Sequence, residues 1–445
     1  MSTDLKRISI ILISFISSLM LFGQNTTKWL YDLQSPMIAF ESSYFLGSPT
    51  VSNSFINNYF KGAYLSDDIK NPAFKDLTPT NVFGAYGNFK LSCVMPADEG
   101  GSTVAYYFAI ENKNIADLKF NDCLFKMFFA GNKQFAGDTL FVKDNFMSYT
   151  GFSQLKGGIV KQINTGSFQH TFLGVLSLNI GTSQDNIRIS NAHFYTDPEG
   201  ALLDTKLDMI YQSVKNNSDS KIKIANGLGA GIDCYYNLKY DKGYNFSVAF
   251  TDIGFVRWLK PYSDVLKKDT AFIFEGIEIK DILDISASTK DLNKDSIKNK
   301  INKFIENKAY TSLLPMTMQL YFCGELSKNV QIGAGMKSVF NAAYKPYYFV
   351  DTKINVLPWL MISPTLSYGG YSGLNAGLDL GLNIKQYNCT IGSDYLTPFI
   401  DGSKFNGKGY YFRIVRKLGY GPKSFESSDF MNVSKKHKCI LNLFK

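Results

Sequence analysis

The residues that most often bind transition metals are few and scattered in this sequence. Its three histidines are His170, His193 and His437, and no His-Glu-x-x-His motif is present. Protein zinc and copper sites usually combine several histidine or cysteine ligands at short spacings. The histidine pattern therefore predicts no metal site, and no other motif predicts a cofactor.

The six cysteines do not form a recognisable metal or redox motif either. They lack any Cys-x-x-Cys pair and are too far apart for a zinc ribbon or a small disulfide scaffold. We expect most of them to be ordinary packing residues, in a compartment that would permit a disulfide. The positions are 93, 123, 234, 323, 389 and 439.

Two local patterns imitate catalytic motifs. Gly227, Gly229 and Gly231 resemble a phosphate-binding loop, but such a loop must open a helix, and the sequence continues as IDCYYNLKY with strand alternation. We therefore interpret these glycines as small inward residues on a curved strand. Ser372 in GGYSGLNAG lacks the Gly-x-Ser-x-Gly spacing of a nucleophile elbow. Neither pattern predicts an enzyme.

The carboxylates offer the remaining chemistry. Asp233 and Asp379 lie on separate alternating segments, so they do not define an acid/base pair. If those segments are strands of one barrel, both side chains fall on the inner face. With Asn383 and Lys385 they are the residues that we expect to line a lumen, in a protein that is not an enzyme.

Alternation with period two indicates the elements that position these residues. In LNAGLDLGLNIK, from Leu374 to Lys385, apolar residues occupy one face and Gly, Asn, Asp and Lys the other. The segment from Leu228 to Tyr240 repeats this pattern. Several such runs reach the roughly 9 to 11 residues that cross a bilayer, whereas strands of soluble proteins average about 5 to 6. This length favours transmembrane strands.

The N-terminus and the aromatic content support the same interpretation. Residues 1–23 contain Lys6 and Arg7 before an apolar run that ends near Gly23, which is the pattern of a secretory signal peptide. Phe, Tyr and Trp make up 15% of the chain. Aromatic residues near strand ends are typical of the interfacial girdles of membrane barrels; the candidates are Trp258, Tyr262, Tyr347, Tyr348, Trp359 and Tyr395.

Charge excludes other classes of protein. The net charge is +9, and residues 416–445 carry +5 of it, with seven basic against two acidic residues. A concentration of charge in the tail leaves no basic face with interleaved aromatic residues, so we expect no nucleic-acid partner. Hydrophobic residues at 45% exclude a disordered chain.

The sequence therefore predicts an all-β fold, an antiparallel transmembrane β-barrel of roughly 12 to 16 strands. We expect a signal peptide at 1–23, an irregular segment at 24–80 inside or under the barrel, the barrel at 81–416, closing near Tyr410 to Val415, and a basic tail at 417–445. Residues 286–308 have helical spacing and predict a short amphipathic helix in one loop. The competing closing strand is Cys439 to Phe444.

The segment DIGFVRW, from Asp252 to Trp258, resembles the signature of a large uncharacterised family of Bacteroidota-type outer-membrane β-barrels. That family is distantly similar in architecture to the FadL-like long-chain fatty-acid transporters. GNKQFAG at 131–137, NAHFYTDPEG at 191–200, GLGAGID at 227–233, FEGIEI at 274–279 and LLPMTMQLYF at 313–322 resemble other parts of it. The resemblance implies an outer-membrane location and a barrel, without a substrate.

Physical roles follow for the four signature residues. Gly254 would permit a bulge or a tight strand exit, and Trp258 would anchor the membrane boundary. Asp252 would pair with Arg257 or with a backbone donor.

The leading functional hypothesis is a non-enzymatic outer-membrane barrel that acts as a porin-like channel, a transporter or a structural platform of the envelope. Its expected partners are outer-membrane lipid, a hydrophobic small molecule and envelope proteins. The alternatives are an accessory subunit of a secretion or motility apparatus and a secreted, soluble β-rich binding protein.

Overall fold

The computed structural model describes residues 33, 35–98, 103–198, 202–214, 225–260, 263–275, 305–400 and 406–418. The signal peptide expected at 1–23 and residues 419–445 of the tail lie outside them. Most of the helix expected at 286–308 also lies outside them; at its described end the prediction is wrong, because Glu306 and Asn307 form a short strand. Among the described residues, no helix is both long and apolar enough to cross a membrane.

Antiparallel strands make up most of the described chain. The strands are β1 (Met37–Gly47), β2 (Asn81–Pro96), β3 (Val104–Phe120), β4 (Thr139–Thr165), β5 (Phe168–Thr196), β6 (Leu202–Val214), β7 (Gly227–Tyr240), β8 (Tyr244–Trp258), β9 (Ser263–Glu275), β10 (Glu306–Asn307), β11 (Tyr310–Leu313), β12 (Thr317–Ser327), β13 (Val330–Val339), β14 (Lys345–Leu357), β15 (Leu360–Gly370), β16 (Gly373–Ile384), β17 (Tyr387–Ser393) and β18 (Lys408–Lys417). The helices are α1 (Asn53–Phe60), α2 (Asp67–Asp76), α3 (Asp122–Ala130) and α4 (Thr397–Ile400), with a 3-10 turn at Lys133–Phe135.

Fourteen of these strands close into a barrel, which confirms the predicted fold class. Around the barrel the order is β1 to β5, then β7, β8, β12 and on to β18. β18 pairs with β1 from Met37↔Lys417 to Leu46↔Lys408, so the sheet has no open edge at this seam. Because the barrel closes, the backbone N–H and C=O groups at this seam are paired, and no other element is needed to cover an open edge.

The two faces of each strand follow the predicted alternation. On β16, Leu380 points outward and is 39% exposed, whereas Asn383 points inward and is 6% exposed. Asp379 also points inward and is partly buried. Because neighbouring strands are paired without a change of face, the same division of apolar outside and polar inside continues around the wall.

The barrel begins earlier than the sequence suggested. Met37–Gly47 is strand β1, so part of the segment 24–80 that we expected to be irregular belongs to the wall. The alternation is hard to see because Met37, Ala39 and Phe45 are inward residues that are nevertheless apolar. They pack in apolar layers at the two ends of the lumen.

Helices α1, α2 and α3 pack against the outside of β1, β2 and β3, not inside the barrel as expected for 24–80. Phe55 of α1 and Phe125 of α3 lie 5.3 Å apart, measured between ring centroids. Ala85 and Leu46, which they cover, occupy outward positions on β2 and β1. Ser52 caps α1 by accepting from the N–H of Phe55, and Asn121 caps α3 by accepting from Leu124.

The two ends of the barrel differ. Short turns at 166–167, 241–243, 328–329, 358–359 and 385–386 connect strands at one end, here called the turn end. The connections at 48–80, 121–138 and 394–407 lie at the opposite, loop end. Beyond the loop end, the first part of β4 pairs with the last part of β5, which pairs on with β6 and then β9 in a sheet that projects from the barrel.

Candidate functional site

A buried network of ionised side chains occupies the lumen. The Nζ of Lys156 lies 2.6 Å from Oε2 of Glu111 and 2.7 Å from Oδ2 of Asp233. The Nζ of Lys113 lies 2.8 and 2.7 Å from the two carboxylate oxygens of Asp252 and 3.3 Å from Oε1 of Glu111. These five side chains are at most 6% exposed. Three carboxylates and two ammonium groups leave the network with one excess negative charge.

A β-bulge brings Asp252 into this network. The register between β7 and β8 shifts between Ile232↔Ile253 and Cys234↔Phe250, so β8 has one extra residue opposite Asp233. Asp252 takes a left-handed φ of 63° there, and its N–H donates to Oδ1 of Asp233 at 2.8 Å. The bulge aims the carboxylate across the lumen toward β3.

Gly254, where we expected a bulge, lies two residues beyond it. A Cβ at this position would be 2.5 Å from the carbonyl oxygen of Ala230 and 2.8 Å from the Cα of Gly231. The glycine is therefore needed for close backbone approach. Gly231 also has little space for a side chain, since a Cβ there would lie 2.8 Å from the hydroxyl of Ser177.

Two expectations for the family signature are wrong. Arg257 is exposed on the outer face and does not pair with Asp252, which binds Lys113 instead. Trp258 is fully buried and points inward, where its Nε1–H donates to Oγ of Ser312 at 2.8 Å. The bulge explains both results, because it sets which residues of β8 face the lumen.

The other predicted lumen residues have mixed outcomes. Asp233 and Asn383 are buried on the inner face, and Asp379 is partly buried there. Asn383 accepts from Asn388 at 2.8 Å. Lys385 is not in the lumen. It lies in the turn between β16 and β17 with φ 52° and an exposed side chain. The predicted alternation of inward and outward residues includes Lys385, but β16 ends one residue earlier, at Ile384.

An apolar layer closes the lumen at the turn end. Leu33, which precedes β1, is 3% exposed and packs among inward residues of six strands. The other buried members are Met37, Ala39, Val94, Ala105, Tyr107, Ala109, Val160, Leu173, Val175 and Val415. We call this layer the seal.

A layer of aromatic residues closes the loop end. Tyr371, in the turn between β15 and β16, donates from its hydroxyl to Oδ1 of Asp117 on β3 at 2.7 Å. The backbone N–H of Ala343 donates to Oδ2 of the same carboxylate at 2.7 Å. Burial, and then the Asp117 carboxylate, raise the pKa of Tyr371 well above its ordinary value, so its hydroxyl remains a donor. We call the layer of Phe45, Val82, Tyr371 and Tyr395 the lid.

Inward glycines leave the space that these rings occupy. A Cβ on Gly84 would lie 2.2 Å from the ring of Tyr371, and one on Gly409 would lie 2.9 Å from the ring of Tyr395. On the opposite wall, a Cβ on Gly333 would meet the hydroxyl of Tyr321 at 2.1 Å. The predicted role of glycines as small inward residues therefore holds here, with aromatic rings lying over them.

A cavity of about 180 Å³ remains between the seal and the lid. Glu41, Lys90, Lys113 and Lys156 line its charged side, and Lys90 binds Glu41 with its Nζ 3.0 Å from Oε2. Tyr371 and other aromatic residues line the rest. In the part of the chain that the structure describes, no cluster of three or more His, Cys, Asp and Glu residues could hold a metal ion.

Sequence reasoning missed most of this site. Glu111 and Lys113 alternate with outward residues in β3, which is the signal that could have placed them in the lumen. Their partners could not have been identified, because Lys113 and Asp252 are 139 positions apart.

The outer aromatic residues also differ from those expected. Tyr348 and Trp359 are half-exposed, as a girdle requires, whereas Tyr347 and Tyr395 are buried in the lumen and Tyr262 lies outside the described residues. A continuous row of outward rings instead crosses β5, β7, β8 and β12 at the turn end. It contains Phe172, Tyr236, His170, Phe168, Tyr240, Tyr244 and Phe322.

Residues 33–394 match a family described as a family of unknown function, DUF5723. No curated protein matches the chain. Among solved structures, the Ralstonia pickettii toluene transporter TbuX is 8% identical over 90% of this chain and 95% of that chain, with a TM-score of 0.44. A Pseudomonas aeruginosa FadL homologue is 9% identical over 89% and 94%, with a TM-score of 0.42. The P. putida toluene transporter TodX is 9% identical over 90% and 94%, with a TM-score of 0.39.

Proposed function

Since the chain belongs to the family of unknown function DUF5723, its role has to be argued from the barrel itself, and we propose that it is a non-enzymatic outer-membrane channel or transporter with a gated lumen. The observation that carries this proposal is the cavity held between the seal and the lid. A barrel that served only as a platform would have no need of a chamber lined by charged and aromatic side chains.

The outer surface supports insertion in a membrane. Large apolar side chains are exposed on strands all around the barrel, whereas soluble monomers rarely expose a continuous apolar surface of this kind. Leu91 is 45% exposed, Ile110 55%, Leu176 69% and Leu366 59%. The row of aromatic rings at the turn end fits an interfacial girdle, which membrane barrels have at each boundary.

The connections support one orientation. Outer-membrane barrels have short periplasmic turns and longer extracellular loops. The turn end would therefore face the periplasm, with the seal and Leu33, and the loop end would face the outside, with the lid. Export through the signal peptide at 1–23 agrees with this arrangement. Recovery of the protein in the periplasmic or medium fraction, and not with carbonate-resistant outer membranes, would contradict the location.

The lid is the gate in this proposal. Tyr371 and Tyr395 come from loop-end connections, whereas the seal and the charged network come from the wall. Connections with few wall hydrogen bonds open more readily than a closed sheet. Movement of the turn that carries Tyr371 away from Asp117 would expose the cavity to the outside.

Conductance in planar bilayers tests the gate. Because the seal also blocks the lumen, each lid is tested in a background that opens the seal, Tyr107→Ala/Leu173→Ala. There we expect little current with the wild-type lid and discrete current steps with Tyr371→Ala or Gly84→Ala, since a Cβ on Gly84 displaces the Tyr371 ring. The matched controls are Tyr368→Ala, whose ring is outward and 64% exposed, and Gly174→Ala, whose Cβ would meet nothing within 4 Å. If both lid variants fold but remain as closed as their controls, the lid is not a gate.

The projecting sheet favours a second candidate, an accessory subunit of an envelope assembly. β4 and β5 are 27 and 29 residues long, far beyond the roughly 9 to 11 that a bilayer requires. Phe141, in the projecting part of β4, is 66% exposed. Co-purification of envelope proteins with the wild type, lost in Phe141→Asp, would support this role; an unchanged set of proteins would exclude this surface.

A further inference from the structure

The cavity between the seal and the lid has a chemistry that selects among solutes. We propose that it binds one neutral, polyhydroxylated molecule of about the size of a single sugar ring. This inference rests on the proposed function, because it names the class of solute that the gated lumen holds.

The cavity has two sides of different character. One side is aromatic and apolar, and it consists mainly of residues near the lid: Phe45, Tyr344, Tyr347, Phe349, Tyr371, Tyr395, Ala85, Ile115, Pro315 and Val339. The other side is charged, and its members are Glu41, Lys90, Glu111, Lys113, Lys156 and Asp252; Lys337 and Asp394 lie among the aromatic residues, with the Nζ of Lys337 5.6 Å from the centroid of the Tyr344 ring. A bound molecule must therefore offer an apolar face to the first side and hydrogen-bonding groups to the second.

The charges on the second side compensate one another, which disfavours an ion as the bound solute. Three lysines face three carboxylates there, and Lys90, Lys113 and Lys156 each contact at least one carboxylate at 3.0 Å or less. Lys337 and Asp394 add one charge of each sign to the rest of the lining. Asp233, which lies behind the lining and binds Lys156, makes the balance slightly negative. An anion gains nothing from such a surface, and a cation must approach four lysines.

These ion pairs nevertheless retain capacity for hydrogen bonds. An ammonium group has three donors and a carboxylate about four acceptor positions. Lys156 uses two of its donors on Glu111 and Asp233, and Glu111 uses two of its positions on Lys113 and Lys156, so both retain capacity. A hydrocarbon in the cavity would displace water from these groups without replacing its hydrogen bonds. Each group left unsatisfied would weaken binding by about tenfold or more. Hydroxyl groups, which both donate and accept, would satisfy them.

The aromatic side and the volume complete the description. A sugar ring has a face of C–H groups that packs against an aromatic ring, as apolar groups do in other ligand pockets. An engineered cavity of about 150 Å³ holds benzene, so about 180 Å³ suits one six-membered ring and is too small for two. The solute class is therefore a monosaccharide or a cyclic polyol.

Unfolding in urea tests this inference without requiring passage through the lid. A molecule that binds only the folded barrel stabilises it in proportion to its concentration relative to its Kd. The protein is refolded in micelles of lauryldimethylamine oxide, which has no sugar headgroup, with D-glucose, D-galactose or myo-inositol present. The urea concentration at which half of the protein is unfolded is read from the intensity of the heat-modifiable band on a gel of unboiled samples. Trehalose, a disaccharide too large for the cavity, corrects for the general effect of sugars as osmolytes.

A pair of double variants separates binding from general stabilisation. Glu41→Gln/Lys90→Gln keeps hydrogen-bonding groups on the charged side and should retain the apparent affinity within about threefold. Glu41→Leu/Lys90→Met removes them and should weaken it about tenfold or more. Each variant is compared with its own midpoint without ligand, so a change in stability alone does not alter the result.

The outcomes are distinct. A saturable rise in the midpoint with at least one monosaccharide or myo-inositol, beyond that with trehalose, is expected. Equal shifts with trehalose, or a saturable shift with toluene, phenyl phosphate or tyramine instead, would overturn the assignment. Lid variants that conduct while no polyol binds would refute only the solute class. Polyol binding by a barrel whose lid variants stay closed would refute only the gate.

Discussion

Lys113 and Asp252 form an ion pair across the lumen, from β3 to β8. The Nζ of Lys113 lies within 2.8 Å of both carboxylate oxygens, although three barrel strands separate the two residues around the wall. The bulge at Asp252, where φ is 63°, turns this carboxylate into the lumen. The long side chain of Lys113 reaches it there, so the two buried charges compensate one another.

Lys156→Met should destabilise the barrel strongly. The variant leaves three carboxylates facing only Lys113, and loss of one partner of a buried ion pair typically costs about 3–5 kcal/mol. The urea midpoint of the heat-modifiable protein measures the change. Asp252→Asn is the control, because Asn tolerates the φ of 63° and removes the excess negative charge. Equal losses in the two variants would show that charge balance does not hold the network together.

Leu380→Arg should destabilise the protein in a bilayer by about 2–4 kcal/mol, since the outward Leu380 lies near the middle of β16. Leu374→Arg is the matched control. Leu374 is 65% exposed at the loop-end start of the same strand, where the cost should be about 0–1 kcal/mol. Folding yields in lipid vesicles give both values. Equal penalties would contradict a membrane centred on these strands.

Truncation after Leu418 should leave the barrel folded. β18 ends at Lys417, and the N–H of Leu418 already bonds to the carbonyl oxygen of Pro36 at 2.7 Å. Truncation after Gly409 removes most of β18 and should abolish the heat-modifiable band, because β1 then has no partner at the seam. If the first truncation also abolishes it, residues 419–445 take part in closing the barrel, as the competing strand at Cys439 to Phe444 requires.

Phe125→Ala should release the outer helices from the wall while leaving the barrel intact. The Phe125 ring stacks on Phe120 at 5.3 Å and lies 4.5 Å from Phe129, so its loss should cost about 3–5 kcal/mol of packing. Limited proteolysis should then cut between residues 48 and 80. Tyr64→Ala, at a residue that is 86% exposed, should change nothing. Similar cleavage in both variants would mean that the aromatic cluster does not secure the helices.

The sequence predicted the strands of the barrel wall better than the contacts between side chains inside the lumen. Strand alternation depends on neighbouring residues, so the faces of Leu380, Asn383 and Asp233 could be assigned without knowing what lies across the barrel. The same rule failed for Lys385, one residue beyond the strand end. It also failed to reveal β1, whose inward residues are apolar because they belong to the seal and the lid.

The arrangement inside the lumen depends on contacts between distant strands. The pattern of DIGFVRW predicts a strand end at the membrane surface. That prediction has Trp258 in an aromatic girdle and an ion pair between Arg257 and Asp252. The structure has Trp258 inside and Arg257 outside, because a single extra residue in β8 changes the register opposite Asp233. A bulge of this kind leaves no reliable mark on hydrophobic periodicity.

Because the seal contains residues from both the first and the last strand, it determines the order in which parts of the barrel fold. Met37 and Ala39 come from the first strand and Val415 from the last, and they pack in one layer with Leu33. That layer can form only after the two ends of the chain have met, which is the contact of greatest sequence separation and the slowest to form. Until then the chamber is open at the turn end, so a newly made molecule closes there only as its last step of folding.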